Sequence, residues 1–219
     1  MGKQKKPGSA PLNLFFDKVY VINLAKDKVR LANFKVEAAR TGVKATRVPA
    51  ISGKNKRVIF NGKESEGWNR NAAALALTTL NIVKKAKEKG YKRIFIFEDD
   101  AYMIHSNFQT IFRKASSVLP TKEKGDWDFL HLNSFDEYPS EWVASCLKKL
   151  GGAWCCQAYG INENVYDAYI EKLEKFDRPI DKMTMELHKE RGKSFATHPH
   201  IVYHMTHRPS SLREKIVEY

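Results

Sequence analysis

The stretch Tyr91-Lys92-Arg93-Ile94-Phe95-Ile96-Phe97-Glu98-Asp99-Asp100 constrains the fold more than any other part of the chain. Ile94 to Phe97 is an unbroken apolar run, preceded by Gly90 and cut off by three consecutive carboxylates. A short apolar run bounded by a turn signal reads as a strand buried on both faces. In an open α/β sheet, ligands gather just beyond the carboxyl ends of such strands. Three adjacent acids there repel one another unless a cation neutralises them. Oxygen clusters of this kind suit hard divalent ions that are shared with substrate phosphates. A solvated acidic turn is the competing reading, and the motif alone does not decide between them.

The surrounding chain favours the sheet. Lys18 to Leu24 is β-rich and continuously apolar, with Asn23 interrupting its carboxyl end as a turn residue or a nucleotide contact. Asp27 is placed to cap a helix that carries Leu31, Phe34 and Ala38 and stops at Gly42. Arg47 to Ile51 is a second strand, which completes a strand–helix–strand unit. Asn71 to Lys89 predicts the clearest helix, with Ala72, Ala76, Thr79, Ile82, Val83 and Ala86 on one face and lysines in the last turn. Further helices are expected at Phe108–Leu119, after Asn162 and after Pro179. Further strands are expected at Asp126–Leu132, Ala153–Ile161 and Ile201–Tyr203, the last closing the sheet. Residues 1–17 read as a disordered basic leader, 18–209 as one α/β domain and 210–219 as a charged tail.

No apolar run approaches the length of a membrane span, and the polar, lysine-bearing stretch Met1 to Pro11 is not expected to act as a secretory signal. The three cysteines include the adjacent Cys155 and Cys156, which cannot form an ordinary disulfide, so a reducing, cytoplasmic setting is expected. A net charge of +13 points to polyanionic partners: nucleic acid, an anionic membrane surface or a phosphorylated small molecule. A non-enzymatic nucleic-acid-binding protein would fit the charge, but no zinc-finger or RNP-type signature accompanies it.

Taken together, Val19 to Leu24 with Arg30 downstream, Val48-Pro-Ala-Ile-Ser-Gly53, Gly90-Tyr91 through Glu98-Asp-Asp100, Trp127-Asp128, Ala158-Tyr159 and Pro179-Ile-Asp181 resemble glycosyltransferase family 25. That family includes lipooligosaccharide and collagen galactosyltransferases. The resemblance implies a single GT-A-like α/β domain with a central, mostly parallel sheet. It also implies a nucleotide-sugar donor of the UDP type, a hexose such as galactose or glucose, and Mn²⁺ or Mg²⁺ held by the acids. The chain departs from the family at Thr78-Thr79, where a Ser-His pair is usual, and at Asn69-Arg70-Asn71, which lacks the usual Gly-Glu-Ile-Gly lead.

On this reading Asp100 is the leading metal ligand, Glu98 serves the metal or the ribose and sugar, and Asp99 assists with the donor. Asn23, Lys26, Arg30 and Lys54 are candidate nucleotide or diphosphate contacts. Of the C-terminal histidines His198, His200, His204 and His207, His204 is the one expected to complete the metal shell. A general base is needed near the acceptor hydroxyl; Asp181 is the first candidate, with Asp136 and Glu137 as rivals. The acceptor is expected to be a glycan or lipid-linked saccharide at an anionic membrane face. The alternative is a hydroxymethylated base in DNA, as a virus in its host's cytoplasm would modify.

Overall fold

The computed structural model describes residues 11–61, 68–104, 106–121, 126–154 and 156–204. The expected tail at 210–219, His207 and Cys155 lie outside these residues. Helix α1 (Pro11–Phe15) leads into strand β1 (Lys18–Asn23), helix α2 (Lys28–Thr41) and strand β2 (Thr46–Pro49). Helix α3 (Arg70–Glu88), strand β3 (Arg93–Glu98), the short strand β4 (Ala101–Met103) and helix α4 (Phe108–Ser117) follow. Next come β5 (Phe129–His131), β6 (Phe135–Asp136), β7 (Glu141–Ala144), β8 (Leu147–Lys149), β9 (Ala153–Trp154) and β10 (Ala158–Asn162). Helices α5 (Tyr166–Leu173) and α6 (Ile180–Arg191), then strands β11 (Ser194–Thr197) and β12 (Val202–His204), complete the described chain.

The eight-stranded central sheet has the order β2-β1-β3-β10-β5-β11-β8-β7. Strands β10 and β8 run against the other members, so the sheet is mixed but mostly parallel in direction. Alternation along β1 and β3 sends side chains to two different cores. Val19, Val21, Phe95 and Phe97 pack with α1, α2 and α4, whereas Tyr20, Ile22, Ile94 and Ile96 pack with α3, α5 and α6. The α/β sheet covered on both faces is therefore present, with β3 an interior strand and its acids at one end.

The structure differs from the sequence expectations in several places. Residues 11–17 are not a leader: Leu12 and Phe16 are buried in the first core, and the Asp17 carboxylate accepts the Lys92 and Arg93 N–H groups. Five helical residues are too few to show a period, so this segment has no sequence signature of its own. Space for it comes from β10, where a Cβ on Gly160 would lie 2.4 Å from Phe16 Cζ. Strand β12 does not close the central sheet but pairs with β4 alone. The expected Ala153–Ile161 strand is two strands, β9 pairing with β6 and β10 with β3 and β5. Asp27 stands at the N-cap of α2 without a side-chain capping bond, whereas Asn69 caps α3 by accepting from Asn71 and Ala72 N–H. Cys146 and Cys156 form no disulfide among the described residues, and no helix among them is long and apolar enough to cross a membrane.

Candidate active site

β3 brings the three acids to the carboxyl end of the sheet, and the chain turns at Asp99 and Asp100 before β4. The β3 ladder ends at Glu98. Asp99 and Asp100 share one cation: Arg30, from the first turn of α2, lies 2.6 Å from Asp99 Oδ1 and 2.6 Å from Asp100 Oδ2. Asn23, at the tip of the adjacent β1, donates to Asp99 Oδ2 at 2.6 Å. Asn23 is itself gripped by Arg47 of β2, which donates to its Oδ1 at 2.9 Å and to its carbonyl at 3.3 Å. Arg47 was not singled out from the sequence, because nothing distinguishes it there among 38 lysines and arginines.

Glu98 keeps the parity of Ile94 and Ile96 and points toward the α6 side. Burial first, then repulsion from Asp100, Asp181 and Asp99, pushes its carboxyl well above the usual value, with Arg30 opposing. Asp99 is raised more modestly, by burial, against the lowering pull of Arg30 and the Asn23 hydrogen bond. Asp181 thus joins the acid cluster from the first turn of α6. Its Oδ1 accepts the Cys156 N–H at 2.8 Å.

A cleft fronts the acids, lined by Asn23, Arg30, Ile51, Gly53, Asn71 and Glu98 among others. Its wall from β2 to α3 is tied down by side chains of α3. Thr78 Oγ1 accepts the Ile51 N–H at 3.0 Å and donates to the Ala74 carbonyl at 2.8 Å. Arg70 donates to the carbonyls of Gly53, Asn55 and Val58. A Cβ at Gly53 would lie 2.4 Å from Asn71 Oδ1 and 2.9 Å from backbone, so only glycine fits where this loop crosses the start of α3. Thr78, a departure from the family pattern, therefore has a definite task in holding the cleft wall.

The remaining candidates separate. His204 of β12 comes to 3.6 Å from Asp100 Oδ2. Lys54 and Lys26 are exposed, and Glu137 is exposed on the turn after β6. Asp136 is engaged by Lys148 Nζ at 2.5 Å and Ser134 Oγ at 2.9 Å. Burial alone would raise its carboxyl, but hydrogen bonds from Lys148 and Ser134 hold it below the usual value.

Among the described residues, no three His, Cys, Asp or Glu side chains are grouped so as to hold a metal ion. What the site offers is a partial set. Asp100 Oδ1 is buried without a hydrogen-bond partner, and His204 lies beside the other oxygen of the same carboxylate. An orphaned carboxylate oxygen and an imidazole fit a divalent cation that takes its other ligands from water and phosphate.

The family described as glycosyltransferase family 25 (LPS biosynthesis protein) matches residues 16–184. No curated protein matches the chain in sequence. Among solved structures, a protein from STIV aligns with 13% identity and TM-score 0.45 over 85% of this chain and 84% of its own. A glycosyltransferase involved in glycosylation of the major capsid of PBCV-1 aligns with 10% identity and TM-score 0.40 over 72% of this chain and 64% of its own. A UDP-glucose pyrophosphorylase complexed with UDP-glucose aligns with 10% identity and TM-score 0.44 over 82% and 72%, respectively.

Proposed function

The chain belongs to glycosyltransferase family 25, and we propose that it moves a hexose from a UDP-type nucleotide sugar to a hydroxyl of a glycan or lipid-linked saccharide. The observation that carries this reading is the Asn23–Asp99–Arg30–Asp100 array at the end of β3, facing the cleft walled by residues 50–53 and α3. A diphosphate with its sugar needs such a place: cationic and amide groups to orient it, and carboxylates to hold a cation. Asp100 and His204 would hold Mn²⁺ or Mg²⁺, which supplies Lewis-acid stabilisation of the departing diphosphate. Arg30 restrains Asp99 and Asp100 and adds a fixed positive charge beside the leaving group. Glu98 hydrogen-bonds to a ribose or sugar hydroxyl.

Asp181 serves as general base. As the acceptor oxygen bonds to the anomeric carbon, its proton passes to the Asp181 carboxylate, and the sugar–phosphate bond breaks with its electrons leaving on the diphosphate. Direct displacement of this kind inverts the anomeric centre. Asp136 is the weaker rival, since Lys148 and Ser134 already occupy it. Phe135 and Trp142, each 64% exposed, supply apolar faces near that end of the sheet for an extended acceptor.

Incubation with a panel of UDP-hexoses, Mn²⁺ and glycan or lipid-linked acceptors tests the proposal through diphosphate release and acceptor mass. Asp100→Asn should abolish turnover, and Asp181→Asn should cut it by about 10²–10⁴-fold. Full turnover in excess chelator would remove the cation from the mechanism. A mass gain on hydroxymethylated DNA alone would replace the acceptor.

A further inference from the structure

A second cavity of about 420 Å³ lies between the edge strand β2 and the later turns of α3. Its size is that of a small-molecule site. Tyr20, Val48 and Ile82 form an apolar floor, and Lys18, Arg47 and Lys85 stand around it. No acidic residue contributes to the lining. The lysines of α3 make the contrast plain: Lys84 pairs with Glu174 and Lys87 with Asp167. Neither Lys85 nor Lys18 has an acidic partner among the described residues. The Tyr20 hydroxyl, pushed up to about 12 by burial and then by Tyr91, stays a neutral donor at physiological pH.

We propose that this groove binds a free amphiphilic anion, a phosphate monoester with a short alkyl body, with its head group between Lys18 and Lys85 and its body on Tyr20, Val48 and Ile82. Two lysines without an acidic partner beside a concave apolar floor select both ends of such a molecule at once. A plain alcohol lacks the head group, and inorganic phosphate lacks the body. The site is separate from the acid cluster, although Arg47 touches both through Asn23. Substitution of Arg47 would therefore disturb the two sites together, and the test leaves it in place.

Isothermal titration calorimetry with n-octyl phosphate, kept below its micelle-forming concentration, tests the proposal on the full chain. Saturable one-to-one binding in the submillimolar range is expected, with n-octanol and inorganic phosphate each at least about tenfold weaker. The double variant Lys18→Ala/Lys85→Ala should bind at least about tenfold more weakly, and Lys85→Glu more weakly than Lys85→Ala, with unchanged melting temperatures. Absence of saturable binding would overturn the inference. So would equal binding by the double variant, equal binding of octanol, or binding to anionic lipid vesicles without binding of the monomeric ester. None of these readings uses a nucleotide sugar, so their outcome is independent of the proposed transferase activity.

Discussion

Glu98→Gln should make the protein more stable at neutral pH while weakening its activity. The substitution keeps the shape of the side chain and removes one charge from the cluster of Glu98, Asp99, Asp100 and Asp181. In the folded protein burial and the neighbouring carboxylates hold Glu98 well above its ordinary value of 4.5. A group bound more tightly to its proton when folded contributes stability below its unfolded pKa. That stability is lost as pH rises through the folded pKa. Across the interval, wild type should lose about 1.4 kcal/mol per pH unit relative to Glu98→Gln, and above it the gap should be constant. Each pH unit of that interval is worth about 1.4 kcal/mol, or about 3–6 °C in melting temperature for a domain of this size. Asp136, Asp177 and Glu186, whose carboxyls are held low, titrate with the opposite sign, but they are common to both proteins and cancel in the difference. Urea unfolding of both proteins from about pH 4.5 to about pH 8 reads the gap directly. A gap independent of pH, or a wild type more stable than the variant at neutral pH, would refute the reasoning.

Arg30→Met leaves Asp99 and Asp100 buried without their shared guanidinium. It should cost about 3–5 kcal/mol near neutral pH and less in acid, where the carboxylates protonate, as urea titrations at two pH values would register. Arg191→Ala removes the two-pronged partner of fully buried Asp128; because Arg191 itself is partly exposed, the lower end of that range, about 3 kcal/mol, is expected in chemical denaturation. Gly160→Ala drives a methyl into the Phe16 ring and should lower stability by about 1–3 kcal/mol, with truncation of Phe16 to Leu in the same chain recovering part of the loss in a thermal melt.

Much of the site was legible because its pieces are local in sequence. The apolar run into Glu98-Asp-Asp100 specifies a two-faced strand with acids at its tip, and Asn23 and Arg30 flank the neighbouring strand end and helix start. The alternation at residues 94–97 placed side chains in both cores as period two requires. What lay hidden depends on distant chain. Arg47 acquires its meaning only when β2 pairs with β1 and sets it beside Asn23. Asp181 reaches Glu98 only because α6 packs where the Cys156 backbone can receive it. The short pieces β6 to β9 have two to four residues each, too few for alternation to separate strand from loop, and β12 found β4 instead of the main sheet. The α1 segment failed for the complementary reason: its polar neighbours dominate the composition, while Leu12 and Phe16 carry the burial.

If the proposed donor and cation both bind at this site, the charge distribution couples them. Arg30 faces Asp99 and Asp100 at once, and Glu98 and Asp181 add further carboxyl groups at the same strand end. A nucleoside diphosphate entering the cleft brings more negative charge to groups that already share one guanidinium. Without an added cation its phosphates meet repulsion from Asp100, whose Oδ1 has no internal partner. A divalent ion held by Asp100 would offset that repulsion. Donor and cation should therefore raise each other's affinity by the same factor, since the coupling is reciprocal. Titration of UDP in Mn²⁺ and in chelator should differ by at least about tenfold, and Mn²⁺ affinity should rise equally when UDP is saturating. His204→Ala should shrink the coupling, and Asp100→Asn should erase it. Equal UDP affinity with and without Mn²⁺ would mean that Arg30 alone satisfies the diphosphate, and the cation would have no place at this site.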